Sequence, residues 1–211
     1  MTAGLFDEPR EPLGEGAVLL RGFAFGEAEA LYEAAQGVIA EAPLRHMVTP
    51  GGLAMAVAMT NCGPLGWVSD RRGYRYQGTD PLTGHAWPAM PDVFRALAQR
   101  AAAAAGFEGF EPDACLVNRY VPGTRLSLHQ DRDETDYGAP IVSVSLGLPA
   151  VFLWGGLKRA DRPHRVPLEH GDVVVWGGPS RLVFHGVAPL AEGEHTHLGA
   201  QRVNLTFRKA G

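Results

Sequence analysis

From residue 114 onwards the chain is a succession of short apolar runs broken by turns, and no other feature restricts its fold as much. The candidate strands are CLVNRY (115–120), RLSLHQD (125–131), IVSVSLGL (141–148), AVFLW (150–154), RVPLEH (165–170), DVVVW (172–176), RLVFHGV (181–187) and QRVNLTFR (201–208). Several alternate apolar with polar residues, the period of a strand with two unlike faces. About eight short strands joined by tight turns point to a jelly roll, whose two sheets leave a pocket at one mouth. The 27 glycines and 16 prolines suit such a turn-rich chain. WGG occurs twice, at 154–156 and 176–178, but the sequences between do not repeat.

Upstream the period changes. GAVLLRGFAF (16–25) reads as a further strand, while EAEALYEAAQGVIAEA (27–42) places Leu31, Ala34, Ala35 and Val38 at helical spacing. A second helix is expected from Pro91, suited to a first helical position, through the run Ala101–Ala105, with Gly106 as its stop. Residues 1–15, rich in Pro, Gly and Glu, read as a flexible extension. The expected class is therefore α+β, mainly β: one domain over 16–211 with its jelly-roll core at 114–211. Between the helices, residues 43–89 show no sustained period. They carry GG, GP and LG turn signals, with Met47, Met55, Trp67, Tyr74, Tyr76, Arg71, Arg72 and Arg75. A long, aromatic, locally basic segment of this kind reads as a functional cover.

Composition excludes several classes. At 211 residues, 45% apolar and 20% charged, the chain is an ordinary globular one. A net charge of −4 argues against tight non-specific binding to long duplex DNA, though not against a local basic groove. Cys62 and Cys115 form no C-x-x-C pair, which removes the zinc-ribbon and thioredoxin motifs and speaks against a secreted disulfide scaffold. MTAGLFDEPR shows no export signal, and the Ala101–Ala105 run is far too short for a bilayer. The expected compartment is the cytoplasm, with no membrane partner.

Three segments carry chemistry. In LSLHQD, Ser127, His129 and Asp131 share one strand face. In RLVFHGV, His185 shares its face with Val183 and Val187, as a partly buried histidine would. Two histidines and a carboxylate converging on one pocket form the facial triad of non-haem Fe(II) oxygenases, although zinc accepts the same donors. The last strand favours the oxygenase. Arg202, Asn204, Thr206 and Arg208 alternate strictly with Val203, Leu205 and Phe207. Arg202 and Arg208 stand about 20 Å apart on an extended strand, and leaning together they can grip both ends of a short dicarboxylate. Asn118 and Tyr120 share a face of CLVNRY and add hydrogen-bond donors. A zinc hydrolase has no use for such a clamp; an enzyme consuming 2-oxoglutarate does.

The order His129-x-Asp131, His185, Arg202-x5-Arg208, with NRYVPGTRLSLHQDRDE, VSLGLPAVF, LEHGDVVVWGG and NLTFR, resembles the bacterial AlkB family of Fe(II)- and 2-oxoglutarate-dependent nucleic-acid demethylases over nearly the whole chain. Arg125 and Arg132 stand where the family pattern has lysine, and keep the charge. The resemblance implies that His129, Asp131 and His185 hold Fe(II). It implies that Tyr120, Arg202 and Asn204 hold the distal carboxylate of 2-oxoglutarate, and Asn118 and Arg208 the one nearer the metal. Residues 43–89 become a nucleotide-recognition lid, in which Trp67 stacks on a flipped base above His129 and Tyr74 touches the backbone. Tyr76, Arg159 and Asp133 complete the implied substrate set. The implied reaction consumes 2-oxoglutarate and O2, yields succinate and CO2, and removes the methyl group of 1-methyladenine or 3-methylcytosine as formaldehyde.

Asp133 also has a reading of its own. A strand continuing past Asp131 aims it at the same pocket, where a second carboxylate calls for a positive partner such as a cationic methylated base. The expected partner is methylated single-stranded DNA, with duplex DNA and RNA as further substrates, and the protein is expected to be a monomer. An oxygenase acting on a protein side chain or small molecule is the alternative, and a metal-stabilised binding module without turnover a third reading. His46, His85, His164, His170, His195 and His197 receive no role, and Cys62 and Cys115 read as packing residues.

Overall fold

The computed structural model describes residues 10–211; residues 1–9 of the expected extension lie outside the described residues. In chain order the elements are β1 (Arg10–Gly14), β2 (Ala17–Leu20), α1 (Ala28–Glu41), β3 (Ala58–Cys62), β4 (Gly66–Asp70), β5 (Gly73–Gln77), α2 (Asp92–Ala104), β6 (Ala114–Tyr120), β7 (Leu126–His129), β8 (Ile141–Gly147), β9 (Ala150–Trp154), β10 (His164–Leu168), β11 (Val173–Trp176), β12 (His185–Val187) and β13 (Arg202–Arg208). They form a seven-stranded sheet, β1-β2-β11-β8-β13-β6-β3, facing a four-stranded one, β10-β9-β12-β7. This is the expected jelly roll.

Alternation along each strand of the larger sheet divides the apolar residues between two cores. Val203, Leu205 and Phe207 of β13, with Cys115 and Val117 of β6, pack beneath Leu31, Ala35 and Val38 of α1 and Phe94, Leu97 and Ala101 of α2. Phe94 meets Phe207 edge-on, ring centroids 5.7 Å apart, and each such fully buried side chain contributes about 1.5–3 kcal/mol. The opposite faces, with Tyr120, Ile141, Phe152, Trp154, Leu168 and Trp176, fill the space between the sheets. β13 lies between β8 and β6, and its polar face is on the side of the sheet that packs toward the second sheet, so Arg202, Asn204, Thr206 and Arg208 are all buried. An edge strand wetting such a face would be the commoner use of this pattern; here the strand is central and its face is covered.

Several boundaries differ from the sequence reading. Residues 10–14, inside the expected loose extension, form edge strand β1 on β2, tied by Arg21 to Glu11 and Asp172. The strand expected over 16–25 stops at Leu20, where Gly22 turns the chain at φ 62° and gives its N–H to Asp172. Segment 43–89 is less separate than expected, since β3 joins the large sheet on β6 and only β4 and β5 stand apart as a hairpin. Finally, β7 ends at His129, before Asp131, and β12 begins at His185 rather than Arg181. No helix among the described residues is long and apolar enough to cross a membrane.

Candidate active site

β7 and β12 pair with His129 opposite His185. A Cβ on Gly186 would lie 2.6 Å from the Leu126 carbonyl oxygen, so glycine is what lets these strands approach. The imidazole centroids are 4.4 Å apart. Each ring donates its Nδ1–H to a backbone carbonyl two residues back, His129 to Ser127 at 2.9 Å and His185 to Val183 at 3.0 Å. That fixes the tautomer and leaves both Nε2 lone pairs facing the pocket. Asp131 reaches them from the loop after β7: Oδ1 is 3.6 Å from His129 Nε2 and Oδ2 is 3.7 Å from His185 Nε2. The three ligand atoms lie within 4.8 Å of one another, a separation that suits one cation bound at about 2 Å from each.

The protonation states suit a metal as well. Burial alone would raise Asp131, but the Arg208 guanidinium and the two imidazoles outweigh it and hold the carboxyl well below its usual range. Burial, helped by His129, presses His185 down to about 4, so the ring is neutral near pH 7. Arg208 donates to Asp131 Oδ2 from Nη2 at 2.8 Å and from Nε at 3.2 Å. Once a cation takes up the Asp131 charge, that guanidinium keeps Glu134 Oε1 at 3.2 Å and has donors to spare for a ligand anion.

At the other end of β13 the demand is plainer. Arg202 is 2% exposed, and only its Nη2 has a partner, the Ser145 hydroxyl at 2.9 Å. Its Nε and Nη1 have none, and no carboxylate among the described residues neutralises it. Tyr120, opposite it on β6, lies under the guanidinium with its ring centroid 5.0 Å away. Asn118 stands opposite Asn204, and its Oδ1 is also unpartnered. The Asn204 amide donates to Ser143 Oγ and the Val144 carbonyl, both at 2.8 Å, so it braces the wall and has no free donor. Buried guanidinium N–H groups left unpaired are costly, and a ligand carboxylate answers the need.

The hairpin of β4 and β5 covers this pocket with aromatic rings. Trp67 and Tyr74 stack at 5.6 Å and 12°. Trp67 Nε1–H donates to Asp133 Oδ2 at 2.8 Å, and Tyr76 donates its hydroxyl to Glu134 Oε1 at 2.7 Å. Trp67, Tyr74, Tyr76 and Asp133 are thus brought together. Arg159 is not among them: it lies in the loop after β9, with its guanidinium 5.3 Å from the Phe184 ring centroid.

With this geometry in place, the family model for the 2OG-Fe(II) oxygenase superfamily matches residues 16–208. The chain is 61% identical over 202 residues to the alpha-ketoglutarate-dependent dioxygenase AlkB of Escherichia coli (strain K12), covering 96% of this chain and 94% of that one. It is 45% identical to the alpha-ketoglutarate-dependent dioxygenase AlkB homolog of Caulobacter vibrioides (strain NA1000 / CB15N), covering 86% and 81%. The solved structure of OsALKBH1 superposes with a TM-score of 0.83 at 32% identity, covering 95% of this chain and all of that one. The chain belongs to the 2OG-Fe(II) oxygenase superfamily.

Two residues of this oxygenase's pocket escape a reading by strand faces. Glu134, 6% exposed, lies between the hairpin and Arg208, whose Nε is 3.2 Å from its Oε1. Arg181 donates to the Asp131 carbonyl at 2.8 Å and to the Ala139 carbonyl at 3.2 Å. Glu134 lies in the loop after β7 and is marked in the sequence only by the acidic run after Asp131, whereas Arg181 shares the alternation of RLVFHGV with His185 although β12 begins only at His185. His170, His195 and His197 cluster apart from the triad. Nδ1 of His170 and of His195 accepts backbone N–H bonds, from Gly147 and from His197 and Leu198 respectively.

Proposed function

We propose that this oxygenase removes methyl groups from N-methylated bases such as 1-methyladenine and 3-methylcytosine. The superfamily's Fe(II), 2-oxoglutarate and O2 fit the residues present: His129, Asp131 and His185 would hold the ion. The observation that carries the co-substrate assignment is Arg202. A guanidinium fully enclosed, lacking an anion, at the far end of the strand whose near end places Arg208 beside the triad, is a receptor for the distal carboxylate of a short diacid. Tyr120 and Asn204 line that end, and Asn118 and Arg208 the carboxylate nearer the metal. Bound iron supplies activation of O2 coupled to decarboxylation of 2-oxoglutarate to succinate and CO2.

The protein's own part is placement. On this reading a planar base lies between His129 and the face of Trp67 that Tyr74 does not cover, and Asp133 accepts from an exocyclic amino group beside a positively charged ring. Tyr74, Arg159 and the basic turn at Arg71 and Arg72 are exposed, and we read them as contacts to the strand outside the pocket. An N-methyl group oxidised to hydroxymethyl leaves as formaldehyde. Names of relatives support a nucleic-acid substrate: that of Mus musculus, 36% identical over 133 residues, is called nucleic acid dioxygenase ALKBH1. We read 43–89 as the lid of one domain over 16–211. The enzyme would act as a cytoplasmic monomer on single-stranded DNA, with duplex DNA and RNA as further substrates.

Mass spectrometry of a methylated oligonucleotide incubated with Fe(II), 2-oxoglutarate and enzyme tests this. Loss of the methyl mass with matching succinate release is expected. Succinate release stimulated by a protein or small molecule, and not by the oligonucleotide, would move the substrate to that class.

A further inference from the structure

Consecutive carboxylates meet cross-strand partners in the hairpin. Trp67 and Tyr76 are directly opposed between β4 and β5. Trp67 bonds to Asp133, and Tyr76 bonds to Glu134. The two attachments differ in kind. Asp133 is exposed, so its bond to the indole is open to exchange with a ligand. Glu134 is enclosed, and the cations paired with it are Arg208 and Arg181. Arg208 Nε lies 3.2 Å from Oε1, the same oxygen that accepts the Tyr76 hydroxyl. Arg181 Nη2 lies 3.1 Å from Oε2, near enough to offset its charge but too poorly angled to donate to it.

Arg208 is therefore divided between Asp131, which takes both of its hydrogen bonds, and Glu134, which takes part of its charge. A ligand carboxylate that draws the guanidinium away leaves Glu134 Oε1 with one close donor, the lid's Tyr76. An anionic acceptor relieved of a competing cation is a stronger acceptor, so that bond tightens. We propose that Glu134 is a positioning residue that latches the Trp67–Tyr76 hairpin to the state of Arg208, so that the lid docks more firmly when co-substrate is bound. This rests on the reading that Arg208 contacts 2-oxoglutarate.

Coupling between two equilibria is reciprocal. If co-substrate strengthens the Tyr76–Glu134 bond, then removing the hydroxyl must weaken co-substrate binding, although Tyr76 is not placed against it. A hydrogen bond to a charged group is among the stronger ones, and a part of it responding gives roughly a three- to tenfold change in affinity.

The test uses the full chain loaded with Mn(II), which does not turn over, and calorimetric titration with 2-oxoglutarate. Tyr76→Phe should weaken binding by that factor. Glu134→Gln should do likewise, and the double variant should be no worse than the weaker single one. Hydrogen exchange of residues 66–77 should slow on adding 2-oxoglutarate to the parent and not to Tyr76→Phe, a conservative change that keeps the test alive if Glu134→Gln fails to fold. Affinity within twofold of the parent for Tyr76→Phe, while Arg208→Lys is weakened, overturns the latch alone. Undiminished affinity in Arg208→Lys overturns the co-substrate assignment of Arg208 and the latch with it.

Discussion

The indole N–H of Trp67 donates to the Asp133 carboxylate at 2.8 Å. One oxygen of the carboxylate that we propose reads an exocyclic amino group is therefore engaged by the hairpin's own donor, and a base would share the carboxylate with the indole or exchange for it. On the proposed reading, Asp133→Ala removes the acceptor that a cationic base needs most. We expect kcat/KM for 1-methyladenine and 3-methylcytosine to fall about ten- to hundredfold, the worth of one hydrogen bond to a charged group. A neutral methylated base should lose far less, and 2-oxoglutarate affinity should hold. Mass-spectrometric competition between the two base types reads the ratio directly; an equal loss on both would mean that Asp133 does not read the base.

Removal of any one ligand, by His129→Ala, Asp131→Ala or His185→Ala, should abolish turnover and Fe(II) binding. The three should part company in metal-free protein. His129→Ala deletes a half-exposed ring, whereas Asp131→Ala deletes the carboxylate that takes both of Arg208's hydrogen bonds in a buried pocket. Breaking such a pair costs about 3 kcal/mol or somewhat more, with Glu134 still nearby, or roughly 6–12 °C in Tm for a chain of this size. Thermal unfolding in chelator compares them. Equal melting of the two variants would show that Arg208 does not depend on Asp131.

What was legible in the sequence follows from what a strand's period encodes. The alternation of Arg202, Asn204, Thr206 and Arg208 with Val203, Leu205 and Phe207 places one set against the helices and the other inside the jelly roll. Loop positions carry no such code. Asp131 was assigned to a continuing strand, yet it reaches the histidines from a loop whose carbonyl Arg181 holds, fifty positions along the chain. Asp133 likewise meets Trp67 because the hairpin folds over, and strand geometry does not bring it there. The hairpin had a usable signal, since Trp67, Ser69, Tyr74 and Tyr76 alternate about the Asp70–Gly73 turn. Glu134 had only the acidic run that it ends, because its partners Tyr76, Arg181 and Arg208 are all remote in sequence.

Acid should destabilise the metal-free protein in a defined window. The His185 ring is held at about 4 in the fold against 6.5 for a free histidine, chiefly by burial. Between those values the unfolded chain binds the extra proton, so stability falls as pH drops from 6.5 towards 4 and is fully present above 6.5. The whole depression corresponds to about 3 kcal/mol. Asp131 adds to the acid loss as pH falls through the ordinary carboxyl value of 3.8 and below, because the unfolded carboxyl then binds a proton while the folded one, held low against burial by Arg208 and the imidazoles, stays charged. Urea unfolding at intervals across the window should show the slope in the parent, and His185→Leu should flatten it. An unchanged slope in His185→Leu would assign the proton to another group.

Arg202 gives the sharpest separation of stability from function. Its guanidinium is enclosed with Nε and Nη1 unpartnered, and burial lowers its pKa because the charge is poorly compensated. Replacing uncompensated buried charge by an apolar chain of similar length is often stabilising, by about 1–4 kcal/mol. Arg202→Met should therefore raise the melting temperature of the protein free of metal and co-substrate. The same change leaves a ligand carboxylate without its two strongest donors, so affinity for 2-oxoglutarate should fall about a hundredfold or more. Calorimetry on Mn(II)-loaded protein measures the second effect and thermal unfolding in chelator the first. A variant that melts lower while binding 2-oxoglutarate normally would mean that Arg202 supports the fold, and that the distal carboxylate is held elsewhere.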